Sequence, residues 1–145
     1  MGTRADFYVG RGPDAEWLGS IAWDGNPAGI CTDTRALEAG DEQTFRDLLG
    51  GFLASRGDAT TPDQGWPWPW NDSRTTDYAY AFDSGRVYGS CCGQPWFLVD
   101  PKGVDFGEPD EGEEIGESAV FPDMSARQAV TFGERSGVII FGGGQ

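Results

Sequence analysis

Residues 41–56 read DEQTFRDLLGGFLASR, and they form the clearest helix pattern in the chain. Five apolar side chains repeat at i, i+3, i+4, i+7 and i+8, which places them on one helix face: Phe45, Leu48, Leu49, Phe52 and Leu53. Asp41 is a suitable N-cap and Gly57 a suitable C-terminal αL residue. Gly50 and Gly51 interrupt the pattern, so we expect a bend or a close backbone contact there.

Strand signals precede this helix. Residues 6–10 are rich in aromatic and β-branched side chains, and they lead through a turn into residues 15–23. In that second segment Trp17, Gly19, Ile21 and Trp23 alternate with other residues. The pattern predicts an N-terminal hairpin with its two tryptophans on the same face.

Further strand signals follow the helix. Residues 78–82, 86–92 and 96–99 predict a meander of three strands, residues 125–130 a short helix, and residues 137–141 another strand. The expected fold class is therefore α+β. We expect an antiparallel sheet of about five or six strands, with one principal helix (about 41–56) packed on one face.

The chain has 145 residues, of which 38% are hydrophobic, so we expect a single domain over residues 1–145. An acidic loop at about 100–117 and a flexible Gly-rich C-terminal tail belong to this prediction. No apolar run approaches the roughly 20 residues that span a bilayer, and the N-terminus has no signal-peptide pattern. We therefore expect a cytoplasmic protein without membrane contact.

The charge of the chain limits its partners. Ten basic residues stand against 24 acidic ones, which gives a formal net charge of −14. Such a field repels phosphate, which disfavours direct binding to nucleic acid or to anionic membranes. It attracts basic protein surfaces, including those that hold nucleic acid. The alternative is that the excess of carboxylates serves solubility alone.

The acidic segment, residues 105–117, contains seven carboxylates and no basic residue. It is either a solvated loop or a strip of negative charge that resembles a phosphate backbone and occupies the basic groove of a partner. On the second interpretation its carboxylates bind the partner: Asp105, Glu108, Asp110, Glu111, Glu113, Glu114 and Glu117.

A second candidate for partner binding is the tryptophan loop, residues 66–70, which reads WPWPW. Alternating prolines exclude it from a central strand, so we expect a loop or an edge. Trp66, Trp68 and Trp70 are then either stiffly held anchors for a partner or a plug over one end of the sheet.

The absence of histidine excludes mechanisms that use imidazole as a base or a metal ligand. No glycine-rich motif has the spacing of a phosphate-binding loop, so we predict no catalytic residue, cofactor or metal site. Carboxylate chemistry stays open as an alternative, in which two or three of six aspartates converge in a pocket: Asp24, Asp33, Asp72, Asp77, Asp83 and Asp100.

Three cysteines, Cys31, Cys91 and Cys92, do not suggest a disulfide framework. Adjacent residues of a strand point to opposite faces, so at most one of Cys91 and Cys92 is expected to face the core. Buried, unreactive thiols are the interpretation that we favour for these cysteines.

Residues 2–25, which include Asp6-Phe7-Tyr8-Val9-Gly10 and Trp17-Leu18-Gly19-Ser20-Ile21, resemble the start of small uncharacterised proteins of bacteria, prophages and mobile elements. The resemblance covers about 25 residues and brings no assigned activity or functional residue. It implies a genetic context in which small acidic proteins often inhibit host defence nucleases, as anti-CRISPR and anti-restriction proteins do.

Together these observations favour a non-enzymatic interaction protein. Its expected partner is a protein with a basic surface, such as a nucleic-acid-binding defence complex, which it inhibits by presenting carboxylates in place of phosphates. The alternatives are a small carboxylate-based enzyme, with or without a divalent metal, and a binding module that uses the tryptophan loop.

Overall fold

The structure is a computed structural model, and it describes residues 3–99 and 118–127. This part of the chain contains five strands and two α-helices: β1 (Ala5–Val9), β2 (Glu16–Ile21), α1 (Pro27–Asp33), α2 (Glu42–Ala54), β3 (Tyr78–Asp83), β4 (Arg86–Cys91) and β5 (Phe97–Leu98). Short 3₁₀ turns lie at Ala36–Glu38, Pro62–Gln64, Ser73–Thr75 and Ser125–Arg127. The α+β class is confirmed. The predicted strand at 137–141 lies outside the described residues.

The five strands form one sheet in the order β2-β1-β3-β4-β5. The N-terminal hairpin β1–β2 and the meander β3–β4–β5 are antiparallel, as predicted. However, β1 and β3 pair in parallel, with Ala5 opposite Tyr78 and Val9 opposite Phe82. The sheet is therefore mixed, and the prediction of a fully antiparallel sheet is wrong at the junction between the two strand groups.

Helix α2 confirms the predicted N-cap, because Oδ1 of Asp41 accepts a 2.8 Å hydrogen bond from the backbone N–H of Thr44. Four of the five predicted apolar side chains are buried, whereas Leu48 at the margin of the stripe is 37% exposed. The helix ends at Ala54, two residues before the predicted end. Its C-cap, Ser55, has right-handed helical geometry, so Gly57 does not supply an αL cap.

Gly50 and Gly51 lie inside α2. No described atom outside the local helix backbone lies within 4 Å of the position that a Cβ would occupy at either residue. The expected close backbone contact is therefore not present in the described part of the chain.

The sequence prediction of one principal helix missed α1. This helix begins with Pro27 at its first turn, where the missing N–H costs no hydrogen bond, and Asn26 is its N-cap residue. Ile30 is fully buried against the sheet. A seven-residue helix with one strongly apolar position has too short a pattern to be distinguished from a turn.

A β-bulge in β2 changes the faces that its side chains occupy. Phe7 pairs with Gly19 but the next residue, Tyr8, pairs with Trp17, so Leu18 is an extra residue on this strand. Trp17 and Ile21 therefore lie on opposite faces of the sheet. Trp23 lies beyond β2 and is 52% exposed. The prediction of two tryptophans on one face is wrong because alternation does not continue through a bulge.

Each face of the sheet carries its own core. The helix face is covered by α1, α2 and the turn at Ala36–Glu38, and its buried side chains include Phe7, Ile30, Phe45, Leu49 and Tyr80. The opposite side, which we call the tryptophan face, is covered by the tryptophan loop and residues 118–124. Its buried side chains include Tyr8, Trp17, Trp66, Phe121 and Met124.

The chain passes from the helix face to the tryptophan face around the outer edge of β2. Ser20 and Thr60 exchange two backbone hydrogen bonds there, at 2.9 and 2.8 Å. This contact pairs part of an edge strand that is otherwise free. Within residues 3–99 and 118–127, no helix has both the length and the apolar character needed to cross a bilayer.

Candidate functional site

The tryptophan loop packs onto the sheet and does not stand out from the surface. Trp66 is fully buried, Trp68 is 9% exposed and Trp70 is half-buried. The ring of Trp66 meets the ring of Trp17 edge to face at 5.2 Å, and the rings of Trp68 and Trp70 stack at 5.5 Å. Two of the three rings are therefore part of the core.

Each indole N–H of this loop has a defined acceptor. Trp66 Nε1 donates to the backbone oxygen of Trp70 at 2.7 Å, and Trp70 Nε1 donates to Oγ1 of Thr76 at 2.9 Å. Trp68 Nε1 donates to Oδ1 of Asp6 at 2.7 Å. These bonds remove the unsatisfied donors that burial of tryptophan would otherwise create.

Asp6 is the centre of a buried polar network on the tryptophan face. Its carboxyl group is fully buried and accepts a 2.6 Å hydrogen bond at each oxygen, from Ser20 Oγ at Oδ1 and from Ser73 Oγ at Oδ2. Together with Trp68 these donors come from β2, the tryptophan loop and the turn at Ser73–Thr75. The carboxyl group thus connects three separate parts of the chain to the middle of the sheet.

Two of these donors are themselves held by aromatic side chains. Trp17 Nε1 donates to Ser20 Oγ at 3.0 Å. The hydroxyl groups of Tyr8 and Ser73 are 2.7 Å apart, and since the single proton of Ser73 goes to Asp6, Tyr8 is the donor of that pair. Asp6 is therefore approached by donors only, an arrangement that favours its ionised form.

Burial opposes that preference. Desolvation raises the pKa of Asp6 above its ordinary value, and the hydrogen bonds from Ser20, Ser73, Trp68 and Thr76 offset this only in part. In the described residues every buried side-chain nitrogen and oxygen has a hydrogen-bond partner. The network is thus satisfied internally, and its full burial keeps Asp6 from contact with a ligand.

Arg4 covers the outer side of this network. Its guanidinium group lies 5.6 Å from the ring centres of both Trp68 and Trp70. It also forms a long ion pair, 3.9 Å, with Asp77, whose carboxylate accepts from the backbone N–H of Arg4 at 2.9 Å. The guanidinium group of Arg4 therefore lies near two of the three rings of the tryptophan loop.

The positive charges of the described part are held beside its own carboxylates. Of the seven arginines whose side chains are described, all but Arg86 form an ion pair: Arg4 with Asp77, Arg11 with Asp83, Arg35 with Glu38, Arg46 with Glu16 and Glu42, Arg56 with Asp33 and Asp58, and Arg74 with Asp72. These arginines therefore do not gather into a basic patch.

The pair Arg56–Asp58 is the most enclosed of these, with side chains that are 10% and 1% exposed. Burial alone would raise the pKa of Asp58. Hydrogen bonds from Arg56 and from the backbone N–H groups of Trp23 and Ala22 outweigh burial and hold that pKa below its ordinary value.

The predicted partner-binding carboxylates lie outside the described residues, so the structure does not place any of them: Asp105, Glu108, Asp110, Glu111, Glu113, Glu114 and Glu117. The same holds for Asp100 of the enzyme alternative. Three other aspartates of the enzyme alternative, Asp72, Asp77 and Asp83, each form an ion pair with a different arginine. Among the described residues, no three histidine, cysteine or carboxylate side chains are grouped so that they could hold a metal ion.

The three cysteines are reduced, and their exposure differs from the prediction. Cys31 and Cys91 are half-buried, whereas Cys92 is exposed. Cys91 is the last residue of β4 and Cys92 lies in the following turn, so the alternation of strand side chains does not apply to the pair. The prediction of buried thiols is wrong for Cys92, and Cys31 and Cys91 are only partly buried.

Sequence reasoning also missed Asp6. Its one available signal is a carboxylate in the middle of Ala5-Asp6-Phe7-Tyr8-Val9, a strand whose other residues are apolar or aromatic. A charged residue in such a position is either at the surface or supplied with buried donors. The sequence does not show that Trp68 and Ser73, more than 60 residues away, supply them.

Comparisons of the chain with protein-family models, with curated proteins and with solved structures found no significant match.

Proposed function

We propose that this protein is a non-enzymatic interaction protein that binds the basic surface of a nucleic-acid-binding protein and inhibits it. The observation that carries the proposal is the placement of charge. Residues 100–117 contain eight carboxylates and one lysine, and thus half of the net charge of −14. A short segment with this charge density can compete with a phosphate backbone for a basic groove.

The positive charges in the described part of the chain also support this proposal. Six of its seven described arginine side chains are engaged with carboxylates of the same chain. Because these cations are already paired, they are poorly available to neutralise the acidic segment. The negative electrostatic field of the acidic segment is therefore available to attract a basic partner.

The proposed partner is a nucleic-acid-binding complex of host defence, and the proposed setting is the bacterial cytoplasm. This finer statement rests on the resemblance that we propose for residues 2–25 to proteins of prophages and mobile elements, where anti-CRISPR and anti-restriction inhibitors occur. The burial of Trp66 and Trp68 favours the acidic segment over the tryptophan loop as the binding surface.

The proposal is tested by affinity purification of the tagged full chain from a lysate of its host, with bound proteins identified by mass spectrometry. We expect a nucleic-acid-binding protein that is released by raised salt and by competing duplex DNA, because both screen or replace the carboxylates. Recovery of no such protein, or of one that duplex DNA does not displace, contradicts the proposal.

Two triple variants with equal loss of charge show whether the acidic segment is responsible. The first is Glu111→Gln, Glu113→Gln and Glu114→Gln. The matched control neutralises three exposed aspartates of the described part, Asp14→Asn, Asp24→Asn and Asp47→Asn. We expect at least a tenfold loss of affinity for the first variant and a smaller loss for the control. Equal losses contradict a role for the segment itself.

A further inference from the structure

Cys91 and Cys92 form a pair of neighbouring thiols at the end of β4. Their sulfur atoms are 3.8 Å apart, and neither takes part in a disulfide. Cys92 is exposed and Cys91 is half-buried. The pair is therefore accessible to a reagent from the surface, and both thiols can reach one ligand atom.

The backbone turn explains why two adjacent side chains converge. The N–H of Gln94 donates to the oxygen of Cys91 at 3.0 Å, which closes a four-residue turn. Both central residues have positive φ, +56° at Cys92 and +81° at Gly93, as in a type I′ turn. Asparagine and glycine are the usual residues at such positions, and an exposed cysteine in this conformation is uncommon.

A disulfide within this pair is disfavoured by geometry. Adjacent Cα atoms of a trans peptide are about 3.8 Å apart, whereas disulfides usually join Cα atoms that are about 4.4–6.8 Å apart. The sulfur atoms would also have to approach from 3.8 Å to about 2.05 Å. A single bridging atom between the two sulfurs requires a much smaller movement.

The ligand count selects the kind of bridging atom. A structural zinc ion takes four protein ligands, and the described residues offer no group of three or more metal-binding side chains here or elsewhere. Trivalent arsenic that carries one organic substituent makes only two further bonds. Two thiols therefore complete its coordination without help from a third side chain.

We infer that Cys91 and Cys92 form a binding site for monosubstituted trivalent arsenic compounds of the form R–As(OH)₂. In the reaction each thiol sulfur forms one As–S bond and each As–OH bond breaks. The two thiol protons leave with the two hydroxyl groups as water. Arsenic stays trivalent, so no oxidant or reductant is consumed.

The protonation of the thiols agrees with this reaction. Burial raises the pKa of Cys91 to about 11, and the neighbouring thiol of Cys92 contributes to the shift. Metal ions bind thiolates and must displace those protons, which weakens their binding at neutral pH. The condensation with R–As(OH)₂ releases water and no net proton, so a raised pKa does not oppose it at equilibrium.

The experiment uses the reduced full chain and phenylarsine oxide, which hydrates to the required form. We expect intact-mass analysis to show one phenylarsenic group per chain, and the number of titratable thiols to fall from three to one. An excess of a monothiol should leave the adduct in place, whereas 2,3-dimercaptopropanol should remove it. Absence of the adduct, or loss of one thiol only, overturns the inference.

Three variants locate the site. Cys31→Ser is the matched control and should bind like the parent chain. Cys91→Ser and Cys92→Asn each remove one sulfur, and asparagine is suited to the positive φ at residue 92. Because a second intramolecular thiol adds roughly 10² or more to affinity, we expect half-saturation at about 100-fold higher arsenical in both. Parent-like binding by either variant overturns the inference.

Discussion

The indole Nε1 of Trp68 donates a 2.7 Å hydrogen bond to Oδ1 of Asp6, across 62 positions of sequence. This bond fixes the tryptophan loop to a central strand of the sheet. A buried carboxyl group usually destabilises a core. Here it accepts hydrogen bonds from three parts of the chain and so holds them together. The stability of the tryptophan face should therefore depend on the chemical state of one side chain.

We expect Asp6→Asn to lower the free energy of unfolding by about 1–3 kcal/mol at pH 5. The amide keeps one acceptor oxygen but turns its NH₂ group toward a site that is approached by donors only. Urea unfolding followed by tryptophan fluorescence measures the loss. An unchanged midpoint would show that the hydrogen bonds to Asp6 are not needed for stability.

The free energy of unfolding should depend on pH differently in the parent chain and in the Asp6→Asn variant. Burial raises the folded-state pKa of Asp6, so the folded protein binds the proton more tightly than the unfolded chain does. The contribution of Asp6 is therefore fully present below the ordinary aspartate pKa of about 3.9 and is lost as pH rises through the raised pKa. The stability difference between parent and Asp6→Asn should shrink over that range.

The Arg56–Asp58 pair should behave in the opposite way. The folded-state pKa of Asp58 is depressed, so its stabilisation is present above the ordinary aspartate pKa and is lost as pH falls through the depressed value. Asp58→Asn removes the most enclosed partner of Arg56 but leaves Asp33 at 3.3 Å and the backbone oxygen of Trp23 at 2.7 Å, so we expect a loss of about 1–3 kcal/mol at pH 7.

A more exposed ion pair is the control for this prediction. Arg11 and Asp83 form a 2.8 Å contact, but about a third of each side chain is in solvent. We expect Asp83→Asn to cost at most about 1 kcal/mol. Similar losses for the two substitutions, measured by urea unfolding, would argue against a special role for the enclosed pair.

Two glycine substitutions should have opposite effects. Gly51 lies in α2 with no described atom near its Cβ position, so Gly51→Ala should stabilise the protein by about 0.5–1 kcal/mol. Gly19, at the β-bulge, has a φ of +152°, and a Cβ there would lie 2.7 Å from Leu53 Cδ1. Gly19→Ala should therefore destabilise the protein by at least about 1 kcal/mol. Thermal unfolding should show a raised Tm for Gly51→Ala and a lowered Tm for Gly19→Ala.

Alanine substitutions in the tryptophan loop distinguish a core role from a binding role. Trp66→Ala should cost about 3–5 kcal/mol, because its ring is fully buried against Trp17. Trp70→Ala should cost less, since that ring is half-exposed. If Trp66→Ala unfolds like the parent chain but loses the partner captured from lysate, the ring contacts the partner and our placement of it is wrong.

The local elements of the fold can be predicted from sequence, and the way they join cannot. The stripe from Phe45 to Leu53 identifies α2, and the alternation around Tyr78 and Tyr80 identifies β3, because both patterns repeat within a few residues. The parallel contact of β1 with β3 depends on two segments more than 60 residues apart. The sequences of β1 and β3 do not indicate that an edge of one strand pairs with an edge of the other.

The same division applies to the site. The composition of residues 105–117 is sufficient to propose an acidic interaction surface, since charge is additive along a segment. The role of Asp6 depends on donors from Ser20, Trp68 and Ser73, which only the folded chain brings together. The convergence of Cys91 and Cys92 likewise depends on the sign of φ at residue 92, which a dipeptide of cysteines does not reveal.

The position of β1 between β2 and β3 has a consequence for synthesis on the ribosome. When β1 leaves the exit tunnel, its neighbour β2 follows within a few residues, but its other neighbour begins only at Tyr78. Until that second neighbour emerges, the nascent chain carries a two-stranded hairpin whose inner edge is open. Chains truncated before residue 78 should therefore be substrates for chaperones and proteases, and the sheet becomes protected only once β3 has been added beside β1.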